Sequence, residues 1–252
     1  MIGVSCTNFS ADPPEEWAPR IAGAFRLWEV FSEAEHQVAR NVERLRGLIE
    51  AYGLKCQVHA PICDWNIAAL NDRLREASLK VTVETVEAAA ELGARTVTVH
   101  PGLSSMSVAG TEGRALARAK ESVRALDRAV SDFDTVVAIE NMPSVPFFLG
   151  RTAAQLAEIV DGTDLSVCFD IGHANTMGQI DAMVDVFGDR IANVHIHDNN
   201  GQRDEHLTIG DGRIDFAHVV SRLSGYSGNW IIESKTFESA VQSSLRLEKL
   251  LS

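Results

Sequence analysis

Short runs of β-branched and aliphatic residues recur along the chain, separated by longer segments rich in Ala, Glu, Leu and Arg. The short runs predict eight strands: Ile2–Ser5, Phe25–Val30, Lys55–His59, Thr96–His100, Val136–Glu140, Ser166–Asp170, Ala192–Ile196 and Trp230–Glu233. The longer segments carry a helical repeat. In one of them Leu79, Val83, Val86 and Ala90 recur at spacings of four, three and four, and Gly93 follows as a stop. A last helix is expected over roughly Glu238–Leu251. Eight strands alternating with helices in 252 residues is the pattern of a (β/α)₈ barrel, α/β in class, with residues 1–252 as one domain. A doubly wound open sheet is the alternative. Against it, no G-x-G-x-x-G opens a helix after the first strand.

The alternation also sets a register. Six strands carry an ionisable residue at or next to their carboxyl end: His59, His100, Glu140, Asp170, His195 and Glu233. If these point inward, the outward residues are Val58, Val97, Val99, Val137, Ile139, Val167, Phe169, Val194, Ile196, Trp230 and Ile232. All are apolar, as a surface under helices requires. The inward residues two positions earlier are Gln57, Thr98, Ala138, Cys168, Asn193 and Ile231, mostly small or polar. The register therefore aims six side chains at the carboxyl end of the barrel, where active sites of this fold lie.

Such groups repel or lose hydration at a cost of several kcal/mol unless a cation joins them. Three histidines and three carboxylates suit Zn²⁺, Mn²⁺ or Fe²⁺. His173 follows three residues after Asp170, and Asp204 with His206 forms an i, i+2 pair in an extended loop. Those three can hold one further ion.

Composition narrows the partners. The net charge of -12 lacks the basic footprint of a nucleic-acid binder, and the Arg run Arg114, Arg118, Arg124, Arg128 is interleaved with Glu121 and Asp127 as a solvated helix face. Cys6, Cys56, Cys63 and Cys168 show no C-x-x-C spacing, which reads as reduced thiols. The opening "MIGVSCTNFS" has no basic and apolar leader pattern. No apolar run approaches the roughly 20 residues of a membrane span. The expected setting is the cytoplasm, with no membrane contact; a homo-oligomer is allowed.

Other polar and aromatic residues suggest supporting roles. Glu29 can orient a ligand histidine or substrate, with an ordinary loop carboxylate as the alternative. His197, in phase with His195, is expected to support the site or meet substrate, with a solvated side chain as the alternative. Arg203 can grip a phosphate or sugar hydroxyl, and is equally well read as a solvated loop residue. Trp65 and Phe147 follow strand ends and can wall a pocket, with core packing as the alternative. His36 and His218 are expected at the surface, and "GDG" at 210–212 reads as a turn.

The ordered set "VHAP", "VHPG", "IEN", "FDIGHAN", "HIHDN", "RDEHLTIGDG" and "IIES" resembles the xylose isomerase-like TIM-barrel superfamily over essentially the whole chain. That group contains sugar isomerases and epimerases, and the endonuclease IV family of AP endonucleases. By position, the resemblance implies a central metal site at Glu140, Asp170, His195 and Glu233. The endonuclease IV-like pattern adds a second ion on His59, His100 and Glu140, with Glu140 bridging, and a third on His173, Asp204 and His206. One to three divalent ions, Zn²⁺ or Mn²⁺, are thus expected.

Two activities follow from the resemblance. One is isomerisation or epimerisation of a small sugar, polyol or sugar phosphate through an enediolate. Glu140 and Glu233 would move the proton and His173 would hold substrate oxygens. The other is metal-dependent hydrolysis of a phosphoester. The full donor set favours it. The acidic loop "SEAEHQ", where that family carries an Arg-bearing DNA-probing loop, opposes it, as does Ile62 in place of that family's aromatic. A non-catalytic metal-containing barrel is a third reading. The isomerase or epimerase is preferred, with a small-molecule substrate rather than nucleic acid. The segments "PICDWNIAALN", "NMPSVPFFLG" and "DNNGQRDEHL" supply lid material.

Overall fold

The computed structural model describes every residue from Met1 to Ser252. Eight strands close into a parallel barrel in sequence order. They are β1 (Ile2–Ser5), β2 (Leu27–Phe31), β3 (Lys55–His59), β4 (Thr96–Val99), β5 (Val136–Glu140), β6 (Ser166–Asp170), β7 (Ile191–Ile196) and β8 (Asn229–Glu233). Pairing of β1 with β8 leaves no free sheet edge. The outer layer is α1 (Pro14–Ala22), α2 (Val38–Tyr52), α3 (Asp72–Glu91), α4 (Glu112–Val130), α5 (Ala153–Val160), α6 (Ile171–Thr176), α7 (Ile180–Phe187), α8 (Phe216–Arg222) and α9 (Phe237–Leu251). No helix is long and apolar enough to cross a membrane.

The expected register is present. All eleven outward residues, from Val58 to Ile232, are buried in the apolar layer between sheet and helices. Ala138, Cys168 and Ile231 are buried but stand apart from that layer, inside the barrel. Asn193 Nδ2 crosses the lumen to Thr98 Oγ1 at 3.1 Å, and Asn229 Nδ2 donates to Gln57 Oε1 at 2.6 Å. A polar middle layer therefore sits beneath the mouth, cross-linked by these bonds although Gln57 Nε2 and Asn193 Oδ1 find no partner.

Several boundaries shift for physical reasons. The second strand runs over Leu27–Phe31, not Phe25–Val30. Phe25 still belongs to the turn leaving α1, its N–H bonded to Ile21 O, while Phe31 stays paired beside His59. β4 stops at Val99, because His100 precedes Pro101, which has no N–H to extend the ladder. His36 is not at the surface. It lies in a 3₁₀ turn after β2, 1% exposed, edge-on to Trp28 with ring centroids 5.4 Å apart. His218 is exposed as expected and pairs with Asp181 at 2.8 Å. The Arg-bearing face of α4 is also solvated, with Arg118 meeting Glu121 and Asp72.

Candidate metal centre

The six strand-end residues gather at the carboxyl end of the barrel. Glu140 is the hub. Its Oε2 lies 3.0 Å from His100 Nε2 and 3.3 Å from His59 Nε2, and its Oε1 lies 3.1 Å from His195 Nδ1. Glu233 Oε1 approaches the same His195 Nδ1 at 3.1 Å. Donor atoms of His59, Glu140, His195 and Glu233 fall within 4.8 Å of one another, as do those of Glu140, Asp170 and His173.

His59 and His173 are aimed by the nitrogen that faces away from the cluster. His59 Nδ1 lies 2.8 Å from Ala60 O, and His173 Nδ1 lies 2.8 Å from Asn141 O. A carbonyl oxygen only accepts, so each Nδ1 carries the proton and each Nε2 presents its lone pair. His195 is turned the other way. Its Nε2 meets Glu29 Oε1 at 3.0 Å, leaving Nδ1 to face Glu140 and Glu233. Glu29 is wholly buried in the lumen and accepts from Asn193 Nδ2 at 2.9 Å, so it is no loop carboxylate.

Asp170 ends β6 and also caps α6, accepting from His173 N at 2.6 Å. The cap places the His173 ring above the strand end. Asn141 fastens β5 to β6: its Nδ2 donates to Asp170 O at 2.9 Å, and its Oδ1 accepts from Asp170 N at 2.8 Å. The loop after β7 then folds back over the mouth. Asp204 Oδ2 lies 3.4 Å from His173 Nε2 and 3.1 Å from His206 Nε2. His206 has φ +48°, a left-handed backbone that is costly for a residue with a side chain and recurs at functional sites.

Charge is dense here. Burial opposes ionisation of Glu140, but His195 and His100 outweigh it and hold the carboxyl well below the usual range. Glu233 is pushed down to about 2, burial again being overcome by His195. Burial disfavours the His195 cation, yet the carboxylates of Glu29, Glu233 and Glu140 together raise its pKa well above the ordinary value. Asp204 is likewise kept ionised against burial, chiefly by His173 and His206. Even so, Asp170 Oδ2, His197 Nε2 and Asp204 Oδ1 are buried without a hydrogen-bond partner. Orphaned nitrogen and carboxylate donors at the centre of such a cluster fit a divalent cation.

The remaining site expectations divide. His197 is buried rather than solvated, its Nε2 3.3 Å from both Asp170 Oδ1 and Asp204 Oδ1. Arg203 is exposed on the loop. Trp65 does not offer its polar edge to the mouth. It packs in the apolar layer, and its N–H donates to Ser78 O and Thr82 Oγ1 of α3. Phe147 and Phe148 pack together at 5.2 Å, and Phe148 stands edge-on to His100 at 6.4 Å. Asn141, Asn193 and Asp198, whose carboxylate accepts from four backbone N–H groups of the loop, hold positioning roles that the sequence signals only through the Asn or Asp beside a donor in "IEN", "NVH" and "HIHDN".

Comparison with known proteins places this geometry. The model of the family described as xylose isomerase-like TIM barrel matches residues 21–250. An uncharacterized protein of Methanocaldococcus jannaschii is 36% identical over 90% of this chain and 80% of its own length. A probable endonuclease 4 of Staphylococcus carnosus is 29% identical over 79% of this chain and 69% of its own. A crystal structure titled as a D-tagatose 3-epimerase-like protein superposes with a TM-score of 0.92 at 34% identity, covering 99% of this chain and 96% of that one. The chain belongs to the xylose isomerase-like TIM-barrel family.

Proposed function

We propose that this protein is a divalent-metal-dependent isomerase or epimerase of a small sugar, polyol or sugar phosphate. The observation that carries the reading is the pair of carboxylates at one point: Glu140 Oε1 and Glu233 Oε1 each lie 3.1 Å from His195 Nδ1. They come from β5 and β8, and both are held ionised. Moving a proton to and from carbon needs such bases at the reacting atom. Glu140, Asp170, His195 and Glu233 would hold a Zn²⁺ or Mn²⁺ ion, which would polarise a carbonyl and its neighbouring hydroxyl and make the adjacent C–H acidic. Glu233 and Glu140 would then take and return the proton. The likeness to a structure titled as D-tagatose 3-epimerase-like supports this chemistry.

A second reading, metal-dependent phosphoester hydrolysis, is favoured by the nine-residue donor set and by the likeness to a probable endonuclease 4. One paired experiment separates them. Metal-loaded protein is incubated in D₂O with a panel of ketoses, aldoses and their phosphates, and separately with duplex DNA carrying an abasic site. The isomerase reading expects deuterium at the carbon next to the carbonyl, abolished by Glu233→Gln. Metal-dependent strand nicking without deuterium in any sugar selects the hydrolase.

A further inference from the structure

His173, Asp204 and His206 form a set of three donors with one side left open. His197 closes that side. We infer that His197 is a fourth protein donor, with His173, Asp204 and His206, to a divalent cation that serves as a structural clamp between the barrel and the loop joining β7 to α8. The inference rests on the proposed metal dependence of the cluster and concerns an ion separate from the central one.

One ligand atom from each of the four residues lies within 4.8 Å of the other three. His197 is fully buried. Its Nδ1 faces Asp198 O at 3.5 Å, which leaves the lone pair on Nε2. That Nε2 lies 3.3 Å from Asp170 Oδ1 and 3.3 Å from Asp204 Oδ1, yet aligns as a hydrogen bond with neither. Asp204 Oδ1 is itself buried and unpartnered. A buried nitrogen and a buried carboxylate oxygen side by side, neither satisfied, cost free energy unless a third group lies between them. Donors about 2.0–2.1 Å from a tetrahedral ion stand about 3.3–3.4 Å apart along each edge. Asp204 Oδ1 stands 3.3 Å from His197 Nε2, and its Oδ2 stands 3.4 and 3.1 Å from His173 and His206 Nε2, spacings of that size divided between the two carboxylate oxygens.

The backbone makes room for this ring. A Cβ at Gly172 would stand 2.0 Å from His197 Cε1 and 2.3 Å from its Nε2. Any other residue there would expel the imidazole. On its far side His197 stacks on His206, with centroids 4.0 Å apart and planes 14° from parallel. Three protein donors leave a position for water or substrate, whereas four fill a tetrahedral shell. The closed set therefore suits retention of the loop rather than chemistry.

The test uses wild-type crystals grown with Zn²⁺ and measured across the zinc absorption edge, beside chelator-release kinetics of wild type and His197→Gln. The expected result is a second anomalous peak bonded to His173, His197, Asp204 and His206. That ion should leave at least tenfold faster from His197→Gln, a larger change than that of the central ion, whose ligand Asp170 His197 also touches. A second peak with a water in place of His197 Nε2, or equal release from both proteins, overturns the inference. A filled central site beside an empty outer one also overturns it and leaves the isomerase reading intact. No bound zinc at either position removes both.

Discussion

Glu29 Oε1 lies 3.0 Å from His195 Nε2 in the barrel lumen, and both side chains are wholly buried. The contact is one of charge rather than an aligned hydrogen bond: the carboxylate favours the proton on Nε2 and so leaves the Nδ1 lone pair to the cluster. Glu29→Gln keeps the shape but can turn its amide N–H toward the ring. We expect affinity for the central ion to fall about 10- to 100-fold, measured by competition with a chromogenic chelator. Unchanged affinity with an unchanged circular dichroism spectrum would show that Glu29 only fills the lumen.

Glu140 is shared by His59, His100 and His195, so its loss should be the most damaging of the carboxylates. Glu140→Ala leaves three imidazoles facing a hole. Breaking buried charge pairs of this kind costs on the order of 3 kcal/mol. The variant should bind the least metal by elemental analysis and melt below wild type. Asp204→Ala should keep the central ion. Equal metal loss in both variants would refute the hub.

The strand ends were legible because alternation is local: each ionisable residue follows an apolar neighbour that must face the helices. The position of Glu29 was not, because its partner Asn193 is 164 residues away and only closure of the barrel brings them together. His197 carried the same ambiguity, since one step past a strand end the alternation no longer says what covers a side chain. The polar neighbours of His36 hide its burial, and Phe25 extends an apolar run through the turn, so the pattern alone does not mark the start of the second strand at Leu27. Trp65 was ambiguous because an aromatic after a strand serves a wall or a core equally well. The bonds to Ser78 and Thr82 decide for the core.

Asp198 organises the loop that carries Asp204 and His206. Its Oδ2 accepts from Gly210 N and Gly212 N at 2.8 and 2.9 Å, and its Oδ1 accepts from Asn199 N and Ile214 N at 2.8 and 3.2 Å. A Cβ at Gly212 would meet Asp198 Oδ1 at 2.4 Å, so the turn closes tightly on the carboxylate. Asp198→Ala strands four backbone donors, each bond to a charged group being worth about 1.5–3 kcal/mol. We expect a loss of at least about 3 kcal/mol in denaturant unfolding. Amide exchange should speed up over residues 199–214 but not in β5 or β6. Uniform acceleration would mean that the carboxylate supports the whole barrel instead.

His36 makes the fold sensitive to acid away from the metal cluster. Both of its ring nitrogens are buried without partners against Trp28, and burial pushes its pKa from 6.5 down to about 4, aided by Arg44 and opposed by Asp12 and Glu15. The folded-state value lies below the unfolded one. As pH falls through 6.5, unfolded chains take up a proton that folded chains refuse until about pH 4. Stability contributed by the neutral ring is therefore full above about pH 6.5 and is lost progressively between there and pH 4. Each pKa unit corresponds to about 1.4 kcal/mol, so the loss between pH 7 and pH 5 should be roughly 2 kcal/mol. Urea unfolding of metal-free wild type and His36→Gln at both pH values isolates this contribution, because the cluster titrates alike in the two proteins. Wild type should lose roughly 2 kcal/mol more than the variant over that interval. An equal loss in both would place the proton uptake elsewhere.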